Sequence, residues 1–375
     1  MAEAQEDRRR AFPLGRVLLA VGAIALVVRT IDVLLVIFLA VILGVYLEAV
    51  ADQLERRLEM PRAAGLALAL VVTLGAAVGV VVLIAPAVSE QVRDFLANLP
   101  QYLSDLDRNL TGLLRRVPLL GRSVTEQGPA GLLASSLNDL LDFLRGAAVP
   151  YLRGGVEFLI EGISVLVMAI YLARTPGVYA DGLVALVPPG RRSLARSILA
   201  DLRTTLRAWV VGQIVAMVLL AALTTLGLWV LGIPYFLAFG VFAGVAAIVP
   251  FFGVLFSTLL PTLFALGALG LGKALGAAAV GVGVHLIEAN FVAPLVMERQ
   301  VNIPPVVTIA GVLLIGKLFG LAGLVIAVPI LASIMVLIRH ILLGEIYGDP
   351  LEQVTSGGTR PAAAEPTVTA RPESP

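Results

Sequence analysis

The sequence contains no cysteine, only two histidines, and few charged residues of either sign. The absence of cysteine excludes disulfides, thiolate nucleophiles and cysteine-based metal sites. Charged residues make up 14% of the 375 residues, against about 25% in a soluble domain. The net charge of +1 provides no basic surface of the kind that binds nucleic acid. No G-x-x-x-x-G-K-[ST] motif for ATP is present, and we expect neither a cofactor nor a bound metal.

Long uncharged apolar runs dominate what is present. The run from Ala208 to Gly272 holds 65 residues without Asp, Glu, Lys or Arg, whereas one helix crosses the bilayer with about 20 apolar residues. The runs are continuously apolar and do not alternate in short segments, which favours helices over a membrane barrel. We therefore predict an all-α polytopic membrane protein, a helical bundle of about eight spans.

Proline repeatedly interrupts the apolar sequence of the C-terminal half. Each break frees backbone groups that lipid cannot satisfy, so these groups must face protein or a water-filled cavity. Broken or re-entrant helices of this kind form binding sites in secondary transporters. The predicted breaks and hinges are Pro250, Gly253, Pro294, Pro304 and Pro329.

A faint internal repeat accompanies these breaks. The string GIP at 232–234 leads to AGVAAIVP at 243–250, and NIP at 302–304 leads to AGLVIAVP at 322–329. If each begins a re-entrant hairpin, the two hairpins enter from opposite sides of the membrane, as in an inverted repeat.

The composition divides the chain into four regions. Residues 1–88 hold an N-terminal cytoplasmic segment and three spans. Residues 89–155 mix Leu, Arg and Asp at helical spacing, which predicts extracytoplasmic or interfacial amphipathic helices, with breaks at Pro100, Pro118 and Pro129. Residues 156–345 form the transport core with broken helices, and residues 346–375 are expected to be a disordered cytoplasmic tail.

Short arginine-rich segments set the expected orientation. Arginines cluster at the N-terminus, in 51–62 and in 174–207. Such segments remain on the cytoplasmic side and can contact anionic lipid headgroups. We therefore expect cytoplasmic N- and C-termini, with residues 89–155 outside.

Five segments, taken in order, resemble the autoinducer-2 exporter family of bacterial permeases, the PerM-type proteins. They are NLPQYL at 98–103, Gly212-Gln213, LGIPYFLAFGVFAGVAAIVPFFG at 231–253, HLIEANFVAPLVMERQVNIPP at 285–305 and GVLLIGKLFGLAGLVIAVP at 311–329. The resemblance implies a multi-pass protein of the bacterial inner (cytoplasmic) membrane that forms homo-oligomers. It also implies export of a small signalling molecule such as autoinducer-2, or sodium/proton antiport.

Glu288 is the acidic residue farthest from an end of the apolar C-terminal half. Charges within the bilayer are costly and usually face a cavity or a partner. His285 precedes Glu288 by three residues, which places both on one helical face. The pair is either a proton or cation site, or a structural hydrogen bond to the backbone of a broken helix.

Other polar residues lie near the predicted breaks. Asn290, Gln213 and Asn302 could contact a polar uncharged solute or satisfy freed carbonyls. Lys317 could pair with Glu288 or extend to the membrane interface.

Two classes of function remain open. The first is a secondary transporter of a small polar solute, coupled to protons or sodium, with sodium/proton antiport as a variant. The second is a non-transporting membrane scaffold, for which Glu288 would be dispensable. An enzyme is not expected, because the sequence has no H-E-x-x-H motif and no Ser/His pairing at a recognisable spacing.

Overall fold

The structure is a computed structural model that describes residues 29–115, 155–249, 252–292 and 305–346, together with two isolated positions near the N-terminus. Most of these residues are helical, and no strand occurs among them. Most of the first apolar run, all of residues 116–154 and the predicted tail beyond residue 346 lie outside the described residues.

Helices α1 (Ile31–Leu58) and α2 (Arg62–Arg115) form an antiparallel pair joined by a sharp turn. Glu59 closes α1 in the left-handed conformation, with a φ of 51°, and its N–H donates to the carbonyl of Glu55. Pro61 follows, and the residue before a proline is disfavoured in the helical region. The chain therefore reverses direction between α1 and α2.

Helix α2 is one continuous helix of 54 residues that contains Pro86 and Pro100. The predicted break at Pro100 is therefore wrong. A proline removes a single backbone donor, and the hydrogen bonds of the neighbouring turns hold the helix together. The Ser89 hydroxyl donates to the carbonyl of Pro86 at 2.8 Å, which satisfies an acceptor beside the first proline. The boundary placed between residues 88 and 89 lies within this helix.

Helices α3 (Gly155–Arg174) and α4 (Pro176–Ala185) meet at Thr175. They form a broken pair bent by 87°. Pro176 explains the bend, because it lacks the N–H that would continue α3 and restricts the residue before it. α3 is an apolar helix of 20 residues.

Helix α5 (Arg192–Val230) is followed by α6 (Phe236–Ala246) after a tight turn. The turn uses positive φ angles at Gly232, 65°, and at Tyr235, 62°. α6 packs closely on α5 at Gly240. A Cβ added at this position would lie 2.8 Å from the carbonyl oxygen of Ala221 in α5. Small residues permit this separation.

The next apolar segment returns along α6 and then continues into two further helices. One helical turn, Phe252–Val254, and a π-helical turn, Leu255–Leu259, lead into α7 (Leu260–Ala268). Helix α8 (Leu271–Ile287) follows and ends in a second π-helical turn, Glu288–Val292.

Helix α9 (Pro305–Leu337) is a hairpin of two arms. Its backbone reverses at Gly320, which has φ 62° and ψ −145°, a conformation open essentially to glycine alone. Gly311 lies against Leu331, and Gly316 lies against Leu324, so the two arms run antiparallel. At 1.5 Å per residue the first arm is about 22 Å long, short of the roughly 30 Å of hydrocarbon. A final π-helical segment, Ile338–Ile346, follows.

The segment after α6 and the α9 hairpin meet in one apolar cluster. Val249, at the end of the α6 segment, packs against Val312, Ile315 and Ala327 of the α9 hairpin. The repeated strings do not occupy equivalent places in the two segments. AGVAAIVP leads into the turn after α6, whereas AGLVIAVP lies in the second arm of α9.

Five helices in the described residues are long and apolar enough to cross a membrane, and a sixth span is formed if the bent pair α3–α4 crosses as one unit. The predicted number of about eight spans is not confirmed. The shorter apolar helices are Phe236–Ala246, Phe256–Ala268 and Val306–Gly320. The predicted class, an all-helical multi-pass membrane protein, agrees with this architecture.

Candidate functional site

A chain of polar side chains lies where α8 ends, among otherwise apolar helices. It joins Ser257, on the π-helical turn before α7, to His285 and Glu288, at the end of α8. π-Helical turns widen the helix and often occur at functional sites. Here, both π-helical turns carry a member of the polar chain. An added Cβ at Gly281 would lie 2.3 Å from Thr258 Oγ1, so the two segments are in close contact.

The three side chains are hydrogen-bonded in sequence. His285 Nδ1 lies 2.9 Å from Glu288 Oε2, and His285 Nε2 lies 2.7 Å from Ser257 Oγ. Ser257 is fully buried. The Glu288 side chain is 31% exposed and that of His285 is 22% exposed. The chain therefore leads from a partly accessible carboxylate to a hydroxyl in the protein interior.

This arrangement can bind and hold a proton. A neutral imidazole donates from one ring nitrogen and accepts at the other. With Glu288 ionised, the geometry assigns donation from Nδ1 to the carboxylate and acceptance at Nε2 from the Ser257 hydroxyl. Protonation of His285 would reverse the bond to Ser257, since Nε2 would then donate, and protonation of Glu288 would weaken its carboxyl group as an acceptor. A change in protonation would therefore alter the hydrogen bond that joins α8 to the segment before α7.

The Ser–His pairing was missed by the sequence analysis. Ser257 and His285 are 28 residues apart, a separation that matches no short motif. The order of contacts resembles a Ser–His–acid triad. Ser257 Oγ, however, is enclosed in this structure, and a nucleophile must reach its substrate. We therefore interpret the hydrogen-bonded side chains of Ser257, His285 and Glu288 as a proton-binding element.

The remaining predicted polar residues lie apart from this chain. Gln213 Nε2 donates to the carbonyl of Ala247 at 2.9 Å, which satisfies an acceptor at the end of α6. Asn290 is exposed and donates to the carbonyl of Leu286 in its own helix at 2.7 Å. Lys317 is exposed on the first arm of α9, and no ion pair joins its described side chain to that of Glu288.

Two of the predicted hinges can be placed. Gly253 is buried, and an added Cβ would lie 3.2 Å from Cα of Ala247. Pro329 is buried within the second arm of α9, which continues through it, and Ser333 donates to its carbonyl at 2.7 Å. The other predicted positions, Asn302, Pro250, Pro294 and Pro304, lie outside the described residues.

A second polar cluster joins four helices where the arginine-rich segments at 51–62 and 174–207 lie. Glu48 of α1 is buried and accepts from Arg203 of α5 at 2.9 Å and from Arg62 of α2 at 3.0 Å. Arg62 also donates to the carbonyl of Ala173, at the end of α3, at 3.0 Å. Asp52 of α1 forms the next ion pair, with Arg207 of α5. From the sequence, these arginines were expected to set the orientation and to contact lipid headgroups, and their ion pairs with α1 were not predicted.

Comparison with known proteins gives the family. Residues 16–343 match the model of the AI-2E family transporter. Similar proteins include YrrI of Bacillus subtilis, named as a transport protein, which is 24% identical over 68% of this chain and 72% of its own. MT0215 of Mycobacterium tuberculosis, also named as a transport protein, is 26% identical over 89% of this chain and 90% of its own. PerM of Escherichia coli, named as a permease, is 22% identical over 63% and 69%. The chain belongs to the AI-2E family of transporters.

Proposed function

We propose that this protein is a secondary transporter of the bacterial inner membrane that moves a small polar solute, such as autoinducer-2, out of the cell. The observation that carries the proposal is the hydrogen-bonded series of side chains from Glu288 through His285 to Ser257, at the end of α8. A transporter driven by an ion gradient needs a group that gains and loses a cation while its surroundings change conformation.

Glu288 meets this need because it is partly accessible and linked to a buried element. When the carboxylate is ionised, it accepts from His285, and the imidazole in turn fixes the Ser257 hydroxyl. A proton or a sodium ion at Glu288 competes with that hydrogen bond. Because the π-helical turn at 288–292 packs against α5, release of the bond can shift α8 against α5. Such a shift would be transmitted to the segment after α6 and to the α9 hairpin, which pack together at Val249.

The family supplies the candidate solute, since its model is described as a transporter of the AI-2E type. Homo-oligomers, which the resemblance implies, are part of the same proposal. The apolar outer surface of the spans fits a surrounding bilayer: Leu83, Val230 and Leu313 are among the side chains that are well exposed.

The test is flux into or out of proteoliposomes under imposed proton and sodium gradients. Autoinducer-2 serves as the test solute, an entrapped dye reports protons, and radiolabelled sodium reports antiport. We expect Glu288→Gln to fold and insert as the wild type does while it loses gradient-driven flux. Gln retains the shape and hydrogen-bonding capacity of Glu but cannot ionise. The matched control is Glu161→Gln, which removes a carboxylate from an exposed position on α3, outside the polar chain.

The outcomes separate the candidate functions. Solute flux that follows the proton or sodium gradient and disappears in Glu288→Gln supports export. Coupled sodium and proton flux without solute supports sodium/proton antiport through the same site. If the wild type shows no flux under any gradient, the protein is not a transporter of these species, and the result supports the hypothesis of a membrane scaffold. If Glu288→Gln retains wild-type flux and pH dependence, Glu288 is structural.

A further inference from the structure

A pocket lined by arginines lies beside the cluster of Glu48 and Asp52, far in the sequence from the polar chain at Glu288. Its volume is about 420 Å³, and the residues that line it are Arg56, Ala200, Arg203, Thr204 and Arg207. It is formed by the end of α1 and the first half of α5.

The arrangement of charge along α1 explains why the pocket is cationic. Glu48, Asp52 and Arg56 are spaced four residues apart, so they follow one another along one face of the helix. The first two positions carry acids, which pair with Arg203 and Arg207 of α5. The third position carries an arginine instead of a third acid.

Arg56 therefore brings a guanidinium to the pocket without a carboxylate of its own. It is exposed, and it forms no ion pair with any described side chain. Arg203 uses its Nε and one terminal nitrogen for Glu48, and Arg207 uses one terminal nitrogen for Asp52. Each retains N–H groups beyond these bonds, because a guanidinium has five donors.

The hydrogen-bond donors that the pocket offers to a ligand are cationic. The Thr204 hydroxyl already donates to the carbonyl of Ala200 at 3.0 Å, so its proton is engaged. The available donors are the guanidinium groups, whose planar forks match the oxygen atoms of phosphate. Carboxylate pairing holds Arg203 and Arg207 in place, and a bound phosphate would not have to order them.

The position of the pocket fits a phosphate at the membrane surface. Exposed apolar side chains occur close by in the sequence: Leu58 is two residues after Arg56, and Val211 is one turn after Arg207. Both arginine-rich segments are expected at the cytoplasmic face, where anionic lipids attract arginine.

We propose that this pocket binds a phosphate group, carried either by an anionic phospholipid of the adjacent leaflet or by a free solute. The site is separate from the proposed coupling chain and does not depend on the transport proposal. The guanidinium of Arg56 completes it, and Arg203 and Arg207 form its fixed side.

The experiment uses the full chain purified in neutral detergent, with one arm for each source of phosphate. Native mass spectrometry measures the retention of phosphatidylglycerol against phosphatidylcholine, and calorimetric titration measures inorganic phosphate at constant ionic strength. We expect the wild type to bind in at least one arm. Arg56→Gln should weaken that binding at least tenfold, since it removes a charge-assisted hydrogen bond.

The matched control is Arg57→Gln, which removes the same charge from the adjacent exposed residue, outside the pocket lining. It should leave the affinity within about twofold of the wild type, because exposed charges outside the site are screened. Arg56→Lys should fall between the two, since it retains the charge but loses the planar fork. All three variants should unfold at the wild-type temperature, because none leaves a buried acid unpaired.

Binding of phosphatidylglycerol alone, dependent on Arg56, identifies a lipid site, and binding of inorganic phosphate identifies a site open to free solutes. Either result supports the proposal. Equal weakening by Arg56→Gln and Arg57→Gln overturns it, because the effect would then be general surface charge. Absence of binding by the wild type in both arms also overturns it.

Discussion

The Glu48 carboxylate occupies an unusual place for a charged group: it is buried between helices, with two arginines around it. Its side chain is 4% exposed, whereas Arg62 and Arg203 are 42% and 50% exposed. A buried charge is tolerated only when its partners satisfy it. Because the arginines remain partly in water, they can be hydrated if Glu48 is lost, and this limits the penalty.

We predict that Glu48→Gln lowers the free energy of unfolding by about 1–3 kcal/mol. Gln fits the same space but cannot neutralise Arg203 and Arg62, so the junction between α1, α2 and α5 is weakened. Thermal unfolding in detergent measures the change. Glu90→Gln, at an exposed position of α2, is the control and should unfold within a degree or so of the wild type. Equal unfolding temperatures for the two variants would contradict the assigned role.

At this scale the sequence predicted neighbours along one helix and missed partners on other helices. Glu288 and His285 were paired correctly because helical periodicity brings residues three apart onto one face. Ser257 and the Glu48–Arg203 pair were not predicted. Their partners are 28 and 155 residues away, and only the packing of separate helices brings them together.

Among the elements, the α9 hairpin depends most directly on one backbone conformation. Gly320 reverses the chain with φ 62° and ψ −145°. An added Cβ would meet no atom within 4 Å, so the obstacle to another residue is backbone strain and not space. We predict that Gly320→Ala destabilises the protein by about 1–3 kcal/mol.

The control for this variant is Gly272→Ala in α8. Gly272 also has open space around a Cβ, but it lies within a helix, where alanine is favoured. Comparison of thermal unfolding and of protease resistance around residue 320 should show a loss for Gly320→Ala alone. If Gly272→Ala is equally destabilising, added bulk and not φ is the cause.

The same hairpin shows where element prediction from sequence fails. Long uncharged apolar runs predicted membrane-spanning helices, because such runs leave little choice of structure. Proline was a poorer guide: α2 continues through Pro100, and α9 continues through Pro329 but reverses at Gly320. A glycine turn of this type depends on the packing of both arms and has no local signal apart from glycine itself.

In the whole molecule, α2 connects two groups of helices, with α1 and α3 at its first part and α7 at its second. Its first part packs with α1 and α3, where Leu66 and Ala69 contact Ala169. Its second part packs against α7, where Asn109 donates to the carbonyls of Leu266 and Gly267 at 2.9 and 3.1 Å. These carbonyls lie at the end of α7 and lack intrahelical donors, so α2 caps the helix.

The length of α2 makes the orientation testable. Arg62 begins the helix within an arginine-rich segment, and Ser104 lies 42 residues further along, so the two are separated by about 63 Å at 1.5 Å per residue. The full bilayer, with headgroups, is about 40–45 Å thick. Even with a tilt of about 40°, Ser104 projects beyond the opposite surface. If the arginine-rich end is cytoplasmic, Ser104 is outside the cell.

We therefore predict that Ser104→Cys reacts with a membrane-impermeant thiol reagent in intact cells, whereas Gly190→Cys reacts only after the membrane is opened. Both positions are exposed, and Gly190 lies between α4 and α5 beside the second arginine-rich segment. The chain has no native cysteine, so each label reports one site. The unsubstituted chain should remain unlabelled under both conditions. Reaction of Gly190→Cys in intact cells, with protection of Ser104→Cys, would show the reverse orientation and would place the arginine-lined pocket at the outer surface.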